Sequence, residues 1–233
     1  MLGAMPAGVT RPTTALLSEL IAQHGYEDTP SVYTDPRLLV RELFWRRLDA
    51  LLALARSRGG RVLDFGGGNG VLLPTLARRF DEVICVDVHV AVARALLDRE
   101  PLANVALREG RIESLALPAG HFDAIVAADV LEHMKELAPI ARELARVLRP
   151  GGELLVSLPS ENPFYELGRA VFRYRKPEDH YHAGARVVEE LGRHLELRTL
   201  RWFPLNVAPL GVFLLARLTR SGAGDGRAGA GDA

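Results

Sequence analysis

The run Asp64-Phe65-Gly66-Gly67-Gly68-Asn69-Gly70 is where residue type and spacing first point to chemistry in this 233-residue sequence. Glycine lets the backbone turn tightly and lets a ligand approach with no Cβ in the way. Amide N–H groups at the start of a following helix point at whatever the loop holds. The spacing separates two ligand classes. A dinucleotide fingerprint needs a third small residue three positions after its second glycine. Counted from Gly66 and Gly68, or from Gly68 and Gly70, that position is Val71 or Leu73, and neither is small. What remains is D-x-G-x-G-x-G, with Gly67 inside it. A second acid, Asp87, closes the apolar run Val83-Ile84-Cys85-Val86. A carboxylate there can accept two hydrogen bonds from the ribose hydroxyls of a nucleoside. Its purely structural alternative is a cap on the next helix.

Farther along, Asp129-Val130-Leu131-Glu132-His133 ends a fourth apolar run. An imidazole titrates near neutral pH, so His133 is the candidate general base. The alternative is a first-turn helix residue bonded to Asp129 or to backbone. Glu132 could orient His133 or bond the amino-acid end of a ligand. His180 and His182 flank Tyr181. Two histidines so spaced could ligate a metal, but the sequence places no third ligand, so no metal is expected. Substrate contact, or a cap on the following helix, is the stronger reading. Phe164, Tyr165, Phe172 and Tyr174 read equally as a lid over an acceptor or as a satellite core. Tyr26, Tyr33, Phe44 and Trp45 read first as core.

The elements that must position these groups follow from periodicity. Apolar runs at 61–65, 82–88, 105–108, 121–128 and 153–158 alternate with helical patterns at 71–80, 90–99 and 130–148. That alternation predicts right-handed crossovers and a parallel sheet covered on both faces. Ahead of it, 16–23 and 38–56 have helical spacing, with Leu39, Leu43, Leu48, Leu51, Leu52 and Ala55 as the apolar stripe of the second. These make residues 1–60 an N-terminal helical piece. A helix over 186–194 and strands over 195–203 and 212–218 complete a domain spanning 61–218. The tail 219–233, mostly Gly, Ala, Asp and Arg, has no apolar face to bury, and disorder is expected there.

At the D-x-G-x-G-x-G loop the chain resembles the class I (Rossmann-like) methyltransferases that bind S-adenosylmethionine. The segment Gly110-Arg111-Ile112-Glu113-Ser114-Leu115-Ala116-Leu117-Pro118 is similar to their G-D-A-E-x-L-P segment, which lines the adenine. Residues 121–134 resemble F-D-x-I-x-x-x-D-V-L-E-H, and Leu148-Arg149-Pro150-Gly151-Gly152 resembles the L-K/R-P-G-G turn before the fifth strand. The matches span 62–158 in the family's order. The resemblance implies an α/β fold: a Rossmann-like seven-stranded, mostly parallel sheet with helices on both faces, an antiparallel last strand and an N-terminal helical cap. It implies S-adenosyl-L-methionine held by Asp64, Gly66, Gly67, Gly68 and Gly70. Asp87 would then take the ribose, and Val88, Arg111 and Ile112 would stand around the adenine. Asp129 and Val130 would touch the cofactor too. One residue departs from the pattern. Arg111 replaces the family's aspartate, and a guanidinium cannot accept a bond from the adenine amino group. The contact must then come from backbone near Ile112, from a water, or from elsewhere.

Methyl transfer from a sulfonium needs alignment and exclusion of water more than a fixed triad. A base is needed only for a poorly nucleophilic acceptor. The expectation is in-line transfer to a small-molecule acceptor on oxygen, carbon or nitrogen. The apolar stretch 204–214 would suit an apolar or carrier-linked one, and ordinary strand burial explains it as well. No Asn/Asp-Pro-Pro-aromatic motif is present, and 29 Lys plus Arg balance 29 Asp plus Glu. No nucleic-acid partner is therefore expected, despite a small basic group at Arg169, Arg173, Arg175 and Lys176. The competing class is a non-catalytic cofactor-binding subunit or sensor, toward which only Arg111 leans. A single cysteine, Cys85, excludes an internal disulfide. Residues 1–12 lack a signal-peptide pattern, and 202–218 is too interrupted by Pro204, Asn206, Pro209 and Gly211 for a transmembrane helix, so a cytoplasmic protein is expected.

Overall fold

Alternate residues of each strand feed opposite layers, as the period of two demands. In the computed structural model, which describes residues 8–25, 31–171 and 180–222, β1 (Arg61–Phe65) sends Leu63 and Phe65 to one core and Val62 to the other. The same split recurs in β2 (Glu82–Asp87) and β4 (Phe122–Ala128). With β3 (Val105–Glu109), β5 (Leu148–Pro159), β6 (Glu196–Phe203) and β7 (Phe213–Thr219) they form one seven-stranded sheet, in the order β3-β2-β1-β4-β5-β7-β6. Strands β1 to β5 pair parallel, while β7 runs antiparallel between β5 and β6. This is the expected Rossmann-like sheet with its antiparallel last strand.

Helices cover both faces. On one face α1 (Thr14–His24), α2 (Leu38–Leu52), α3 (Leu73–Arg79) and α4 (Ala91–Arg99) bury Leu17, Leu48, Leu76 and Leu96 against Val83 and Val126. On the other, α5 (Leu137–Val147) and α7 (Gly184–Leu191) bury Leu144 and Leu191 against Ile125 and Val156. A further helix, α6 (Pro163–Val171), follows β5. Among the described residues no helix is long and apolar enough to cross a membrane. Tyr26, Phe172, Arg173, Tyr174, Arg175, Lys176 and the tail from 223 onward lie outside the described residues.

Several expected boundaries move, each for a local reason. The helix expected over 130–148 begins only at Leu137, after a 3-10 turn at Leu131–His133 and an extended Met134. Pro139, which lacks an N–H, accordingly falls in the first turn of α5, where none is needed. Helix α2 stops at Leu52 because the Arg56 and Ser57 amides donate to Oε1 of buried Glu153, at 2.8 and 2.7 Å. Leu39, expected in its apolar stripe, is exposed. Strand β5 begins at Leu148, which pairs with Phe122 before a bulge, rather than at 153. The last strand reaches Thr219, beyond the expected end at 218.

Candidate active site

The glycine loop leaves the carboxyl end of β1 at the centre of the sheet, beside β4, where strand order reverses. That is where open α/β sheets bind ligands. Gly66, Gly68 and Gly70 all have positive φ, at 73°, 48° and 74°. At Gly66 a Cβ would also stand 2.3 Å from Val130 Cγ2, whereas at Gly68 its nearest neighbour, Asp87 Oδ2, is 3.7 Å away. The two positions therefore separate packing from conformation. Gly66→Ala should lower the unfolding free energy by about 2–4 kcal/mol, combining left-handed strain with overpacking. Gly68→Ala should lose about 1–2 kcal/mol, the strain alone. Urea unfolding of both variants checks the difference, and equal losses would mean that Val130 does not confine the loop.

Asp87 is bound into this loop rather than into the helix after it. Its Oδ2 accepts from Gly68 N–H at 2.8 Å and its Oδ1 from His89 N–H at 2.9 Å. Helix α4 has Val90 at its N-cap and no side-chain cap. The helix-cap alternative is thus set aside. Val88, next along, is 51% exposed, an apolar surface beside the acid. Glu109, whose backbone is level with Asp87, leads through Gly110 to Arg111 and buried Ile112. The Arg111 side chain turns outward to Glu113 at 3.3 Å.

Behind the loop lies a cavity of about 160 Å3, lined by Tyr33, Leu48, Asp64, Gly66, Gly67, Gly68, Asn69, Val71, Leu72, Ala128 and Asp129. It brings together the first strand's acid, the loop and the end of β4. Asp64 is buried and its Oδ2 has no hydrogen-bond partner among the described residues. Burial, reinforced by the negative charge of Asp87, pushes its carboxyl up to about 7.

The opposite wall joins Asp129, from the motif that ends β4, to Arg47 and Tyr33, which carried none. Asp129 is left-handed, with φ 53°. Its Oδ2 accepts from Arg47 Nη1, while Oδ1 is buried without a partner among the described residues. Arg47, on α2, is 0% exposed. It also donates to Tyr33 Oη at 2.8 Å and lies between the Phe44 and Phe213 rings, 4.9 and 4.6 Å from their centroids. Tyr33, expected first as core, thus lines the cavity, and burial pushes its phenol up to about 12.

Past Asp129, the 3-10 turn presents Glu132 and His133. Glu132 is 1% exposed, and its Oε2 has no partner among the described residues. Burial, with Asp129 nearby, holds its carboxyl well above the usual range. His133 packs edge-on against His180, with ring centroids 4.7 Å apart. His180 Nδ1 is 3.1 Å from Glu161 Oε1, and His182 Nε2 is 3.3 Å from the Lys135 carbonyl. Neither caps α7, whose N-cap is Ala183 with no side-chain bond. On α6, Phe164 is exposed, and burial pushes the Tyr165 phenol up to about 12, with the charges of Asp129 and Glu161 adding to the rise.

Residues 63–156 match the family model described as "Methyltransferase domain". The ubiquinone biosynthesis O-methyltransferase of Xanthomonas oryzae pv. oryzae (strain PXO99A) is 38% identical over 121 residues, covering 50% of each chain. The ubiquinone/menaquinone biosynthesis C-methyltransferase UbiE of Pseudomonas aeruginosa (strain LESB58) is 35% identical over 128 residues, 51% of this chain and 50% of that one. The chain thus spans about half the length of the curated relatives it matches. The N-methyltransferase NodS from Bradyrhizobium japonicum WM9, solved with S-adenosyl-L-homocysteine, shares the fold at a TM-score of 0.62 and 19% identity, covering 88% of this chain and 98% of that one. Residues 63–156 are thus similar to a methyltransferase domain, on the Rossmann-like sheet described above.

Proposed function

We propose that this protein transfers a methyl group from S-adenosylmethionine to a small-molecule acceptor. The observation that carries the proposal is the joined pair of acids around the glycine loop. Asp87 holds Gly68 on one side, and Asp64 faces the cavity with a partnerless buried oxygen on the other. A ligand with a ribose at one end and an amino-acid group at the other, its ammonium turned to Asp64, fits that layout. Gly66, Gly67, Gly68 and Gly70 would let its middle pass close to backbone, Val88 and Ile112 would flank the base, and Asp129 and Val130 would border its reactive end. When bound, it supplies a methyl carbon on a sulfonium whose departure as a neutral thioether needs no acid. The protein aligns the acceptor and excludes water. His133 is the residue we assign to the acceptor's proton, from its place beyond Asp129 on the same strand end.

The two relatives are named for quinone biosynthesis, which supports a ring-bearing acceptor of low polarity. We assign residues 1–60 to a cap over the cofactor, since Tyr33 and Leu48 line the cavity, and 61–218 to the catalytic domain. A cytoplasmic protein without a nucleic-acid partner completes the reading. Calorimetric titration with S-adenosylmethionine and its demethylated product, followed by a methyl-transfer assay on a panel of phenols, quinols and amines, tests it. Turnover of one acceptor is the expected result; tight cofactor binding without turnover of any would favour the non-catalytic module.

Asp64 gives the binding a pH signature. A carboxyl at about 7 when folded, against the ordinary 3.8, is protonated over that interval while the unfolded chain's is not. It therefore favours folding at low pH, and that contribution is lost as pH rises from about 4 to 7. A cationic ligand needs the ionised form, so affinity should strengthen as pH rises toward 7, approaching tenfold per unit below it. Asp87 across the loop, the Tyr33 phenol and the buried Cys85 thiol are titratable groups that share this field. Calorimetry at several pH values checks the slope, and Asp64→Asn should flatten it.

A further inference from the structure

The sequence placed only two histidines, His180 and His182, as possible metal ligands, and the structure replaces that pair with a different set. One ligand atom each from Glu132, His133 and His180 lies within 4.8 Å of the other two. Glu132 and His133 sit on one 3-10 turn. The Tyr181 amide donates to the Glu132 carbonyl at 2.9 Å, which pins the segment carrying His180 over that turn. Two imidazole nitrogens and a carboxylate oxygen are the donor set of catalytic first-row metal sites, which keep further positions open.

We propose that Glu132, His133 and His180 bind a divalent transition-metal ion, and that the ion takes a hydroxyl oxygen of the acceptor. Three observations support it. Glu132 is 1% exposed and its Oε2 has no partner among the described residues, so a buried acceptor oxygen stands ready for a cation. His180 has its Nδ1 at 3.1 Å from Glu161. Donation from Nδ1 to that carboxylate leaves the lone pair on Nε2, the outer-shell arrangement that orients metal-bound histidines. The spacing is also close to what an ion needs. Tetrahedral ligands at about 2.1 Å from an ion stand about 3.4 Å apart, so the set has to close by little more than an ångström.

This rests on the methyltransferase reading of the site and narrows its substrate class to acceptors with an ionisable hydroxyl, phenols or enols. Coordination makes such a hydroxyl more acidic. The O–H proton passes to solvent, the oxygen keeps the bonding pair, and that anionic oxygen is the nucleophile. With the ion bound, His133 serves as a ligand in place of the proton-accepting role assigned above, and no general base is required.

The test uses the full chain, stripped with chelator and titrated with Co2+ followed by visible absorption, then with Zn2+ by calorimetry. One equivalent of Co2+ with tetrahedral or five-coordinate bands is expected, displaced by Zn2+. Glu161→Gln should weaken uptake roughly 10- to 100-fold, as loss of an outer-shell partner does. His180→Ala should weaken it further, with His180→Asn as the second variant should alanine unfold the segment. His182→Ala should bind like the unmodified protein. Calorimetry with S-adenosylhomocysteine shows separately that each variant keeps its cofactor site. A proton held within the cluster is the competing occupant. No Co2+ uptake by the unmodified protein, or uptake unchanged in both His180 variants, overturns the proposal. Cofactor binding without metal uptake sinks the metal site alone, whereas metal uptake without cofactor binding sinks the methyltransferase reading alone. Equal rates of phenol methylation with and without chelator would overturn the ion's part in the reaction.

Discussion

Asp87→Ala should weaken S-adenosylmethionine binding roughly thirty- to thousandfold, about 2–4 kcal/mol, through loss of two charge-assisted hydrogen bonds to the ribose. The structure adds a second contribution of the same sign. Asp87 already holds Gly68 through Oδ2 and His89 through Oδ1, so alanine also releases the loop that approaches the ligand. Asp87→Asn separates the two. An amide keeps one acceptor oxygen, so one of the two backbone bonds survives, and the charge is gone. Its loss should fall between the unmodified protein and alanine. Thermal melts of the ligand-free variants should shift by only a few degrees, since each backbone bond contributes about 1 kcal/mol. Unchanged affinity by calorimetry in both variants would reduce Asp87 to a structural tie.

Arg47→Ala should be the most destabilising single change at the site, by about 3–5 kcal/mol in urea unfolding, the range for removing one partner of a buried ion pair. Arg47 is enclosed by Phe44 and Phe213 and donates to Asp129 and Tyr33. Without it, Asp129 keeps a left-handed backbone and a carboxylate that has lost its only cation partner among the described residues. The Asp129 side chain is 28% exposed, so water offsets part of the loss and the lower end of the range is expected. Arg47→Met combined with Asp129→Asn keeps the volume and removes the charge. It should recover much of the stability, as apolar replacement of buried pairs does. Recovery of stability without recovery of cofactor affinity would show that the pair shapes the cavity wall rather than the fold.

Of the two residues at stake, Asp87 was legible in the sequence and Arg47 was not. The strands of the parallel sheet were readable because strands buried on both faces appear as continuous apolar runs, such as Val83 to Val86 and Ala124 to Ala127. The start of α5 was misplaced although its signal was present: Pro139 cannot sit inside a helix. The end of α2 had no local signal, because the acid that turns the chain there, Glu153, lies 96 residues past Ser57. The cofactor motif was legible because loop and acids lie close along the chain. Arg47, Tyr33, Glu161 and the pairing of His180 with Glu132 were not, because tertiary packing alone brings them together. One hint did exist. Arg47 falls on the stripe of Val40, Phe44, Leu48 and Leu51, and a charge at a core spacing asks for a buried partner.

We propose that the glycine loop and its two acids form a site for S-adenosylmethionine and not for a dinucleotide. Titration calorimetry of the full chain with S-adenosylmethionine, repeated with a reduced nicotinamide dinucleotide, tests it most directly. One saturable site for the first, competed by its demethylated product and lost in Asp87→Ala, with no heat from the second, is the predicted result. Binding of the dinucleotide with none of S-adenosylmethionine would contradict it.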